Sequence, residues 1–293
     1  MEANELFGLL QSLDDTPINR EGYTHTPIPY PGSKNRYLNK LLPYLPYDKV
    51  WVDVFGGSGS VTLARRPSKL DVYNDKHGGL TAFYRCLRDK SLKEQLIAWC
   101  DLTIHSREEF NWCRDTWEQQ EDLVERAGRW YYSLIYSFGR LGRHFGRVIK
   151  PIAMGSGELR DKLTLFEDVH QRFKYVQIEN LDWRHCLKDF DSYDTIFYLD
   201  PPYYGTAGIA YKYNMDAAEH VEMCQRLFDC KGFVALSGYN NPIYGKFPWD
   251  HIHSWDTSVT ITTRAINTDT SNAKELGRNS NVEYLWVKEA YHD

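Results

Sequence analysis

Short apolar stretches alternate with helix-like stretches in two separate parts of this chain. Each apolar stretch is long enough for one buried strand, and the clearest examples are KVWVDVF, KLDVYND, KYVQIEN, YDTIFYLD and GFVALSGYN. When a helix separates two strands, the chain crosses over and the strands pair in parallel. The alternation therefore predicts an α/β fold in which helices cover both faces of a mainly parallel sheet.

The alternation stops between about residues 90 and 172, where helix-like stretches follow one another and then give way to a glycine-rich segment. We interpret this gap as a mainly helical subdomain inserted into the sheet domain. The Thr-, Asn- and Ser-rich residues 257–281 are expected to form a surface loop or a long hairpin. The expected division is a tail at 1–22, a sheet domain at 23–90 and 173–293, and the inserted subdomain at 91–172.

Composition and charge narrow the possible classes of protein. No run approaches about 18 apolar residues, and the first 22 residues lack a cationic segment followed by a long apolar one, so neither secretion nor membrane insertion is expected. The six cysteines form no CxxC pair and the histidines do not cluster at metal-ligand spacing, which favours reduced thiols in a cytoplasmic protein without a metal. The net charge of −5 restricts any polyanion partner to a local basic surface.

A glycine-rich turn follows the first apolar stretch, in DVFGGSG. Gly57 and Gly59 stand where a strand turns into a helix, so that the backbone can approach a ligand closely. The spacing is neither GxGxxG nor a phosphate loop, which favours a cofactor without a pyrophosphate. Asp75 ends the second strand, where an acid of such folds accepts hydrogen bonds from ribose hydroxyls. Together these features predict a nucleoside cofactor.

The sequence DPPY follows a buried strand, YDTIFYL. Asp200 is expected at the carboxyl end of that strand, and Pro201 and Pro202 restrict the backbone and carry no N–H donors. The result is a rigid loop of hydrogen-bond acceptors, which suits a planar aromatic amine whose lone pair is delocalised into its ring. If Asp200 and the Pro201 carbonyl accept both amine hydrogens, the lone pair can point at an electrophile. Tyr203 can stack on the ring of the amine.

A basic and aromatic segment spans residues 126–150. It contains six Lys or Arg, six aromatic residues and no Asp or Glu, although the whole chain is acidic. Such a segment predicts a surface that binds nucleic-acid phosphates. The alternative is a helix whose aromatic residues are buried and whose arginines face solvent. The candidate DNA contacts are Arg126, Arg129, Arg140, Arg143, His144, Arg147 and Lys150.

The order YPGSK, DVFGGSG, YND and DPPYY resembles the Dam-type DNA adenine-N6 methyltransferases, which use S-adenosylmethionine. The resemblance spans about residues 25–90 and 170–290. It implies a Rossmann-like class I methyltransferase sheet, a catalytic sheet domain that binds the cofactor, and target recognition by the inserted subdomain. It also implies base flipping from double-stranded DNA in a bacterial, archaeal or phage-infected cell, with or without a companion restriction enzyme.

The resemblance assigns individual roles. In the family, a Gly-Lys turn precedes the first strand, and the glycine-rich turn holds the methionine part of the cofactor. An acid after the second strand holds the ribose, and DPPY is catalytic. Ser33 stands where a second glycine is common, and Asp53 where Glu is frequent, which preserves the charge. The implied cofactor residues are Tyr30, Gly32, Lys34, Asp53, Phe55, Gly57, Gly59, Asp75, Asp182 and Asp200. The implied catalytic residues are Asp200, Pro201, Pro202 and Tyr203.

Two other interpretations remain open at this point. The chemistry of DPPY suits any planar amine, so methylation of cytosine N4 or of RNA is an alternative. A non-catalytic DNA-binding module that retains the fold is a second one, although each expected catalytic and cofactor position is filled.

Overall fold

The computed structural model describes residues 25–30, 32–47, 49–146, 157–205, 213–256 and 282–290. These residues form a seven-stranded sheet. Its strands are β1 (Val50–Asp53), β2 (Leu70–Asn74), β3 (Val176–Glu179), β4 (Thr195–Leu199), β5 (Phe233–Gly238), β6 (His251–Asp256) and β7 (Val282–Lys288). The expected tail at 1–22 and the expected loop or hairpin at 257–281 lie outside the described residues.

The strands lie in the spatial order β3-β2-β1-β4-β5-β7-β6. Strands β1 to β5 pair in parallel, and β7 runs antiparallel to both β5 and β6. The chain builds outward from β1 through β2 and β3, and then returns to the other side of β1 with β4. In open parallel sheets, such a reversal leaves a ligand-binding crevice at the carboxyl ends of the two central strands. The predicted Rossmann-like α/β sheet is confirmed.

The α-helices of the described residues flank this sheet, and none of them combines the length and apolar character needed to cross a bilayer. They are α1 (Leu38–Leu41), α2 (Ser60–Ala64), α3 (Gly78–Arg88), α4 (Lys90–Leu102), α5 (Arg107–Thr116), α6 (Leu123–Ile135), α7 (Gly157–Leu163), α8 (Phe166–Phe173), α9 (Trp183–Phe190) and α10 (Ala217–Asp229).

Several helices begin at the same kind of cap. In α4, α5, α6 and α10, a side-chain oxygen of the preceding Asp or Ser accepts a hydrogen bond from the third backbone N–H of the helix. This bond satisfies a donor that the first helical turn leaves unpaired and contributes about 0.5–2 kcal/mol per cap. The capping residues are Asp89, Ser106, Asp122 and Asp216.

The chain after YPGSK forms three short helical pieces. A 3₁₀ turn at Lys34–Arg36 precedes α1, and a second 3₁₀ turn at Leu42–Tyr44 follows it. Pro43 explains the break, because it has no N–H to continue the α-helical ladder. The α-helix of this stretch is therefore only one turn long.

Both faces of the sheet are covered, as the alternation predicts. On one face, Val52 and Phe197 share a core with Met223 and Leu227 of α10. On the other face, Trp51 and Tyr198 pack with Leu41 of α1 and with Val61 of α2.

The helices of residues 90–173 share a core with α3. Residues of α3, α4, α5, α6 and α8 belong to one buried cluster. Within it, the Phe83 ring lies 4.5 Å from that of Tyr131, and the Tyr84 ring stacks 4.3 Å from that of Phe173. Within the described residues, the helices of this region therefore share one buried core with α3, which flanks the sheet.

Candidate functional site

A cleft opens where β1, β2, β3 and β4 end, at the reversal of the strand order. Its volume is about 1090 Å³, part of which is open to solvent. Every residue that was predicted to bind a cofactor lines it except Gly59, and the four residues of the DPPY loop also line it. The predicted residues that line it are Tyr30, Gly32, Lys34, Asp53, Phe55, Gly57, Asp75, Asp182, Asp200, Pro201, Pro202 and Tyr203.

The two glycines of the turn have different roles in the structure. Gly57 has φ +51° and Gly59 has φ +66°, a region that side chains rarely adopt. A Cβ atom on Gly59 would lie 2.6 Å from the Tyr84 hydroxyl, so this glycine allows the turn to pack against α3. Gly57 instead forms part of the cleft wall.

Asp75 connects the end of β2 to the glycine-rich turn. Its carboxylate accepts hydrogen bonds from the backbone N–H of Gly57 at 2.9 Å and from that of His77 at 2.7 Å. Burial raises the pKa of Asp75 to about 6, although these two bonds counteract part of the effect. The carboxylate is therefore fixed in the cleft wall with acceptor capacity left for a ligand.

Asp53 is a buried acid with an unused acceptor. Thr62 Oγ1 donates to its Oδ2 at 2.8 Å, whereas its Oδ1 has no hydrogen-bond partner within the described residues. Burial raises the pKa of Asp53 to about 7. An unpartnered buried acceptor in a cleft wall is costly unless a ligand supplies a donor. The site thus fits a ligand that carries a positively charged donor group.

Asp182 caps α9 at another side of the cleft. Lys76 Nζ lies 3.0 Å from its Oδ2, and the backbone N–H of Arg184 donates to its Oδ1 at 3.1 Å. Burial alone would raise the pKa of Asp182, but the bonds from Lys76 and Arg184 outweigh burial and hold it below its ordinary value. Asp182 is therefore an ionised acceptor at the cleft.

Lys34 connects the first motif to the DPPY loop. Its side chain is buried, and Nζ lies 2.7 Å and 2.6 Å from the two carboxylate oxygens of Asp200. Burial alone would lower the pKa of Lys34, but the charges of Asp200 and Glu283 raise it well above its ordinary value. The ammonium therefore stays charged and fixes the position of the Asp200 carboxylate.

Tyr203 shares this cluster. Lys34 Nζ donates to its hydroxyl at 2.6 Å, and the hydroxyl donates in turn to Glu283. The Tyr203 ring meets that of Tyr239 edge to face, with the centroids 4.6 Å apart. The hydroxyl of Tyr203 is thus held between charged groups, and Tyr203 is also one of the residues that line the cleft.

Two residues near the site were missed from the sequence. Glu283 is a single acid within the apolar strand β7, which is the signal that could have revealed it. His77 caps α3, lines the cleft and stacks on Trp117 with ring centroids 5.3 Å apart. Its position two residues after Asp75 was the available signal. Within the described residues, no group of three or more acidic, His or Cys side chains is arranged to hold a metal ion.

The basic segment divides into two parts in the structure. Arg129 lies in α6 and is only 9% exposed; it donates to Glu125 at 2.8 Å and to Thr116 at 2.9 Å, and its guanidinium stacks 3.8 Å from the Trp112 ring centroid. Arg126 donates to the Glu118 carbonyl at 2.9 Å. These contacts favour the helix-packing interpretation for Arg129.

The second part is a tight loop at residues 137–146, which we call the basic loop. Arg143 and His144 are exposed in it, and Arg140 is partly exposed. The structure does not bring these residues to the cleft wall. Arg147 and Lys150, which complete the predicted set, lie outside the described residues.

Comparison with known proteins adds to this geometry. Residues 30–231 match the D12 class N6 adenine-specific DNA methyltransferases. The chain is 26% identical over 191 residues to "Modification methylase LlaI" of Lactococcus lactis subsp. lactis, a match that covers 61% of this chain and 29% of that protein. It is also 26% identical over 201 residues to "Type II methyltransferase M.FokI" of Planomicrobium okeanokoites, which covers 64% of this chain and 30% of that protein.

The chain thus spans less than a third of the length of these curated relatives. The family match, in contrast, covers well over half of the chain and includes the glycine-rich turn, Asp75, Asp182 and the DPPY loop. The chain therefore belongs to the D12 class N6 adenine-specific DNA methyltransferase family.

Proposed function

We propose that this chain transfers a methyl group from S-adenosylmethionine to the N6 amino group of an adenine that has been flipped out of duplex DNA. One observation carries the proposal: the Asp200–Tyr203 loop lies in the same cleft as the acids predicted to hold a cofactor, and Lys34 joins the two parts. The description of the family supports adenine N6 in DNA as the methyl acceptor, and the names of both relatives support methyl transfer.

Membership in a methyltransferase family implies a methyl donor, and we propose S-adenosylmethionine. When bound, it supplies a methyl group on a positively charged sulfur. The residues of the cleft fit its groups, since Asp75 can accept from ribose hydroxyls and Asp182 from the adenine amino group. Asp53, whose Oδ1 has no partner within the described residues, can accept from the ammonium of the methionine part.

The DPPY loop acts on the target amine in this proposal. Asp200 and the Pro201 carbonyl accept the two amine hydrogens, which frees the nitrogen lone pair from the ring. Pro201 and Pro202 add no competing N–H donors. Lys34 holds the Asp200 carboxylate in place, and in this proposal the carboxylate also stabilises the positive charge that develops on the amine nitrogen.

We assign capture of the flipped base to the ring of Tyr203. Its hydroxyl is held at Lys34 and Glu283, so the orientation of the ring is fixed before a base arrives. A base that stacks on an aromatic side chain gains about 1–3 kcal/mol, which offsets part of the cost of leaving the duplex.

Double-stranded DNA is the proposed partner, and the helical region at 91–172 is its proposed target-recognition subdomain. Within it, the basic loop offers Arg140, Arg143 and His144 for contacts to phosphates. Arg126 is a further candidate, whereas the buried pairing of Arg129 with Glu125 favours a structural role. With this partner, the protein would work in the cytoplasm of a bacterial, archaeal or phage-infected cell.

Analysis of methylated nucleosides tests the proposed function. The purified chain is incubated with methyl-labelled S-adenosylmethionine and with duplex DNA, single-stranded DNA or RNA, and each product is hydrolysed and identified by mass. We expect label in N6-methyladenine from duplex DNA. Label in N4-methylcytosine or in a ribonucleoside would contradict the proposed substrate and would identify cytosine or RNA as the methyl acceptor instead. DNA binding without any label would identify a non-catalytic binding module.

A further inference from the structure

Glu283 is a buried carboxylate at the active loop, although it lies 80 residues beyond Tyr203 in the chain. It belongs to β7, which pairs with β5 and thereby lies next to the strands that end at the cleft. It is 3% exposed, accepts the Tyr203 hydroxyl hydrogen, and lies 3.4 Å from Lys34 Nζ. A buried acid with these two contacts is part of the loop's support.

The hydrogen bonds of the cluster have a fixed direction. A Tyr hydroxyl has a single hydrogen, and Tyr203 gives it to Glu283, so the same hydroxyl can only accept from Lys34. The ammonium of Lys34 has three hydrogens, and it donates to both carboxylate oxygens of Asp200, to the Tyr203 hydroxyl and, at 3.5 Å, to the Gly32 carbonyl. Glu283 lies 3.4 Å from the same nitrogen as an ion pair. Because Glu283 accepts the one hydrogen of the Tyr203 hydroxyl, this hydroxyl does not donate to Asp200.

The charges of Lys34, Asp200 and Glu283 also indicate that Glu283 supports the active loop. Lys34 is the cation that contacts both carboxylates, Asp200 and Glu283, so this trio carries one net negative charge when all three are ionised. Without Glu283, Lys34 and Asp200 would neutralise each other. An active loop that stabilises a developing positive charge benefits from the additional negative charge.

We propose that Glu283 is a positioning residue for the DPPY loop. Glu283 accepts the hydrogen bond from the Tyr203 hydroxyl and pairs with the Lys34 ammonium, and it thereby leaves acceptor positions of Asp200 to the target amine. This inference rests on the proposed function. It differs from the assignment of the loop itself, because Glu283 acts through Lys34 and Tyr203 and touches neither the amine nor the cofactor.

The variant Glu283→Gln tests this role, because it keeps the size of the side chain and an acceptor oxygen but removes the charge. We expect the single-turnover rate of methyl transfer to fall by about 10-fold or more, which corresponds to at least about 1.4 kcal/mol in the barrier. The dissociation constants for S-adenosylmethionine and DNA should stay within about twofold of those of the wild type, because Glu283 is not among the residues that line the cleft. Glu289→Gln is the matched control: it removes the same charge from an exposed residue that follows β7.

The variant Tyr203→Phe provides a second test, which does not depend on whether Glu283→Gln folds. It keeps the ring but removes the link to Glu283, so a fluorescent base analogue should still report base extrusion while the single-turnover rate falls. A wild-type rate in folded Glu283→Gln, or in Tyr203→Phe, would overturn the role of Glu283. If the wild-type chain methylates no adenine at all, the proposed function fails instead.

Discussion

Lys34 and Asp53 show, at the scale of single residues, how burial acts differently on a paired and an unpaired charge. For Lys34, burial would lower the pKa, but two carboxylates close to its ammonium raise it. For Asp53, burial raises the pKa to about 7, and the hydrogen bond from Thr62 only partly counteracts this effect. Asp53 is therefore the acid of the cleft that would gain most from a cationic ligand.

The raised pKa of Asp53 predicts a pH-dependent stability of the ligand-free protein. Between the ordinary value of 3.8 and about 7, the folded protein holds a proton that the unfolded chain has released, so this acid destabilises the fold progressively as the pH rises through that window. Its slope is at most about 1.4 kcal/mol per pH unit. In urea unfolding, Asp53→Asn should gain stability relative to the wild type from pH 5 to 7 and then level off. Parallel pH profiles of the two proteins would contradict the raised pKa.

The basic loop is the element whose backbone presents the candidate DNA contacts. The N–H of Phe138 donates to the His144 carbonyl at 2.7 Å, and the N–H of Gly146 donates to the Tyr136 carbonyl at 2.7 Å, so the two ends of the loop are tied together. Gly139 and Gly142 take up the left-handed conformations that the tight turns require. The loop therefore holds Arg140 and Arg143 on a defined backbone.

The double variant Arg140→Ala/Arg143→Ala tests this element. If each arginine contacts one phosphate, the variant should bind duplex DNA more weakly, and the slope of log affinity against log salt should become shallower by about 2. Cofactor affinity should be unchanged, because neither residue lines the cleft. The control is Lys49→Ala/Lys69→Ala, which removes two charges at the starts of β1 and β2, at the edge of the sheet opposite the cleft. Equal salt slopes for wild type and Arg variant would contradict the role of the loop.

At the scale of the whole molecule, the sequence predicts the features that depend on neighbouring residues or on periodic spacing. The strand alternation predicted the sheet, and Asp75 and Asp200 were each predicted at the end of a strand, where both of them line the cleft. Contacts between distant parts of the chain could not be predicted in this way. Lys34 and Asp200 are 166 residues apart, and Glu283 reaches the loop only because β7 runs antiparallel beside β5.

The charge pattern of residues 126–150 predicted a surface position correctly for only some of the candidate DNA contacts, because ion pairs form only after folding. A sequence of basic residues does not show which guanidinium finds a carboxylate partner after folding. Arg129 pairs with Glu125, which lies one helical turn away on α6, and with Thr116 of α5. The exposed residues of the basic loop belong to the same basic segment as Arg129, but they lie outside the helix and their side chains face solvent.

The most direct measurement compares the single-turnover rate of methyl transfer in the wild type and in Asp200→Ala, with cofactor and duplex DNA both saturating. Glu283 remains beside Lys34 in this variant, so the buried ammonium keeps a counter-charge. We predict a rate that is lower by at least about 100-fold, while most of the affinity for DNA remains, because Asp200 acts on the amine during the transfer. A rate close to that of the wild type in the folded variant would contradict the account, since the DPPY loop would then be a turn without a part in the reaction.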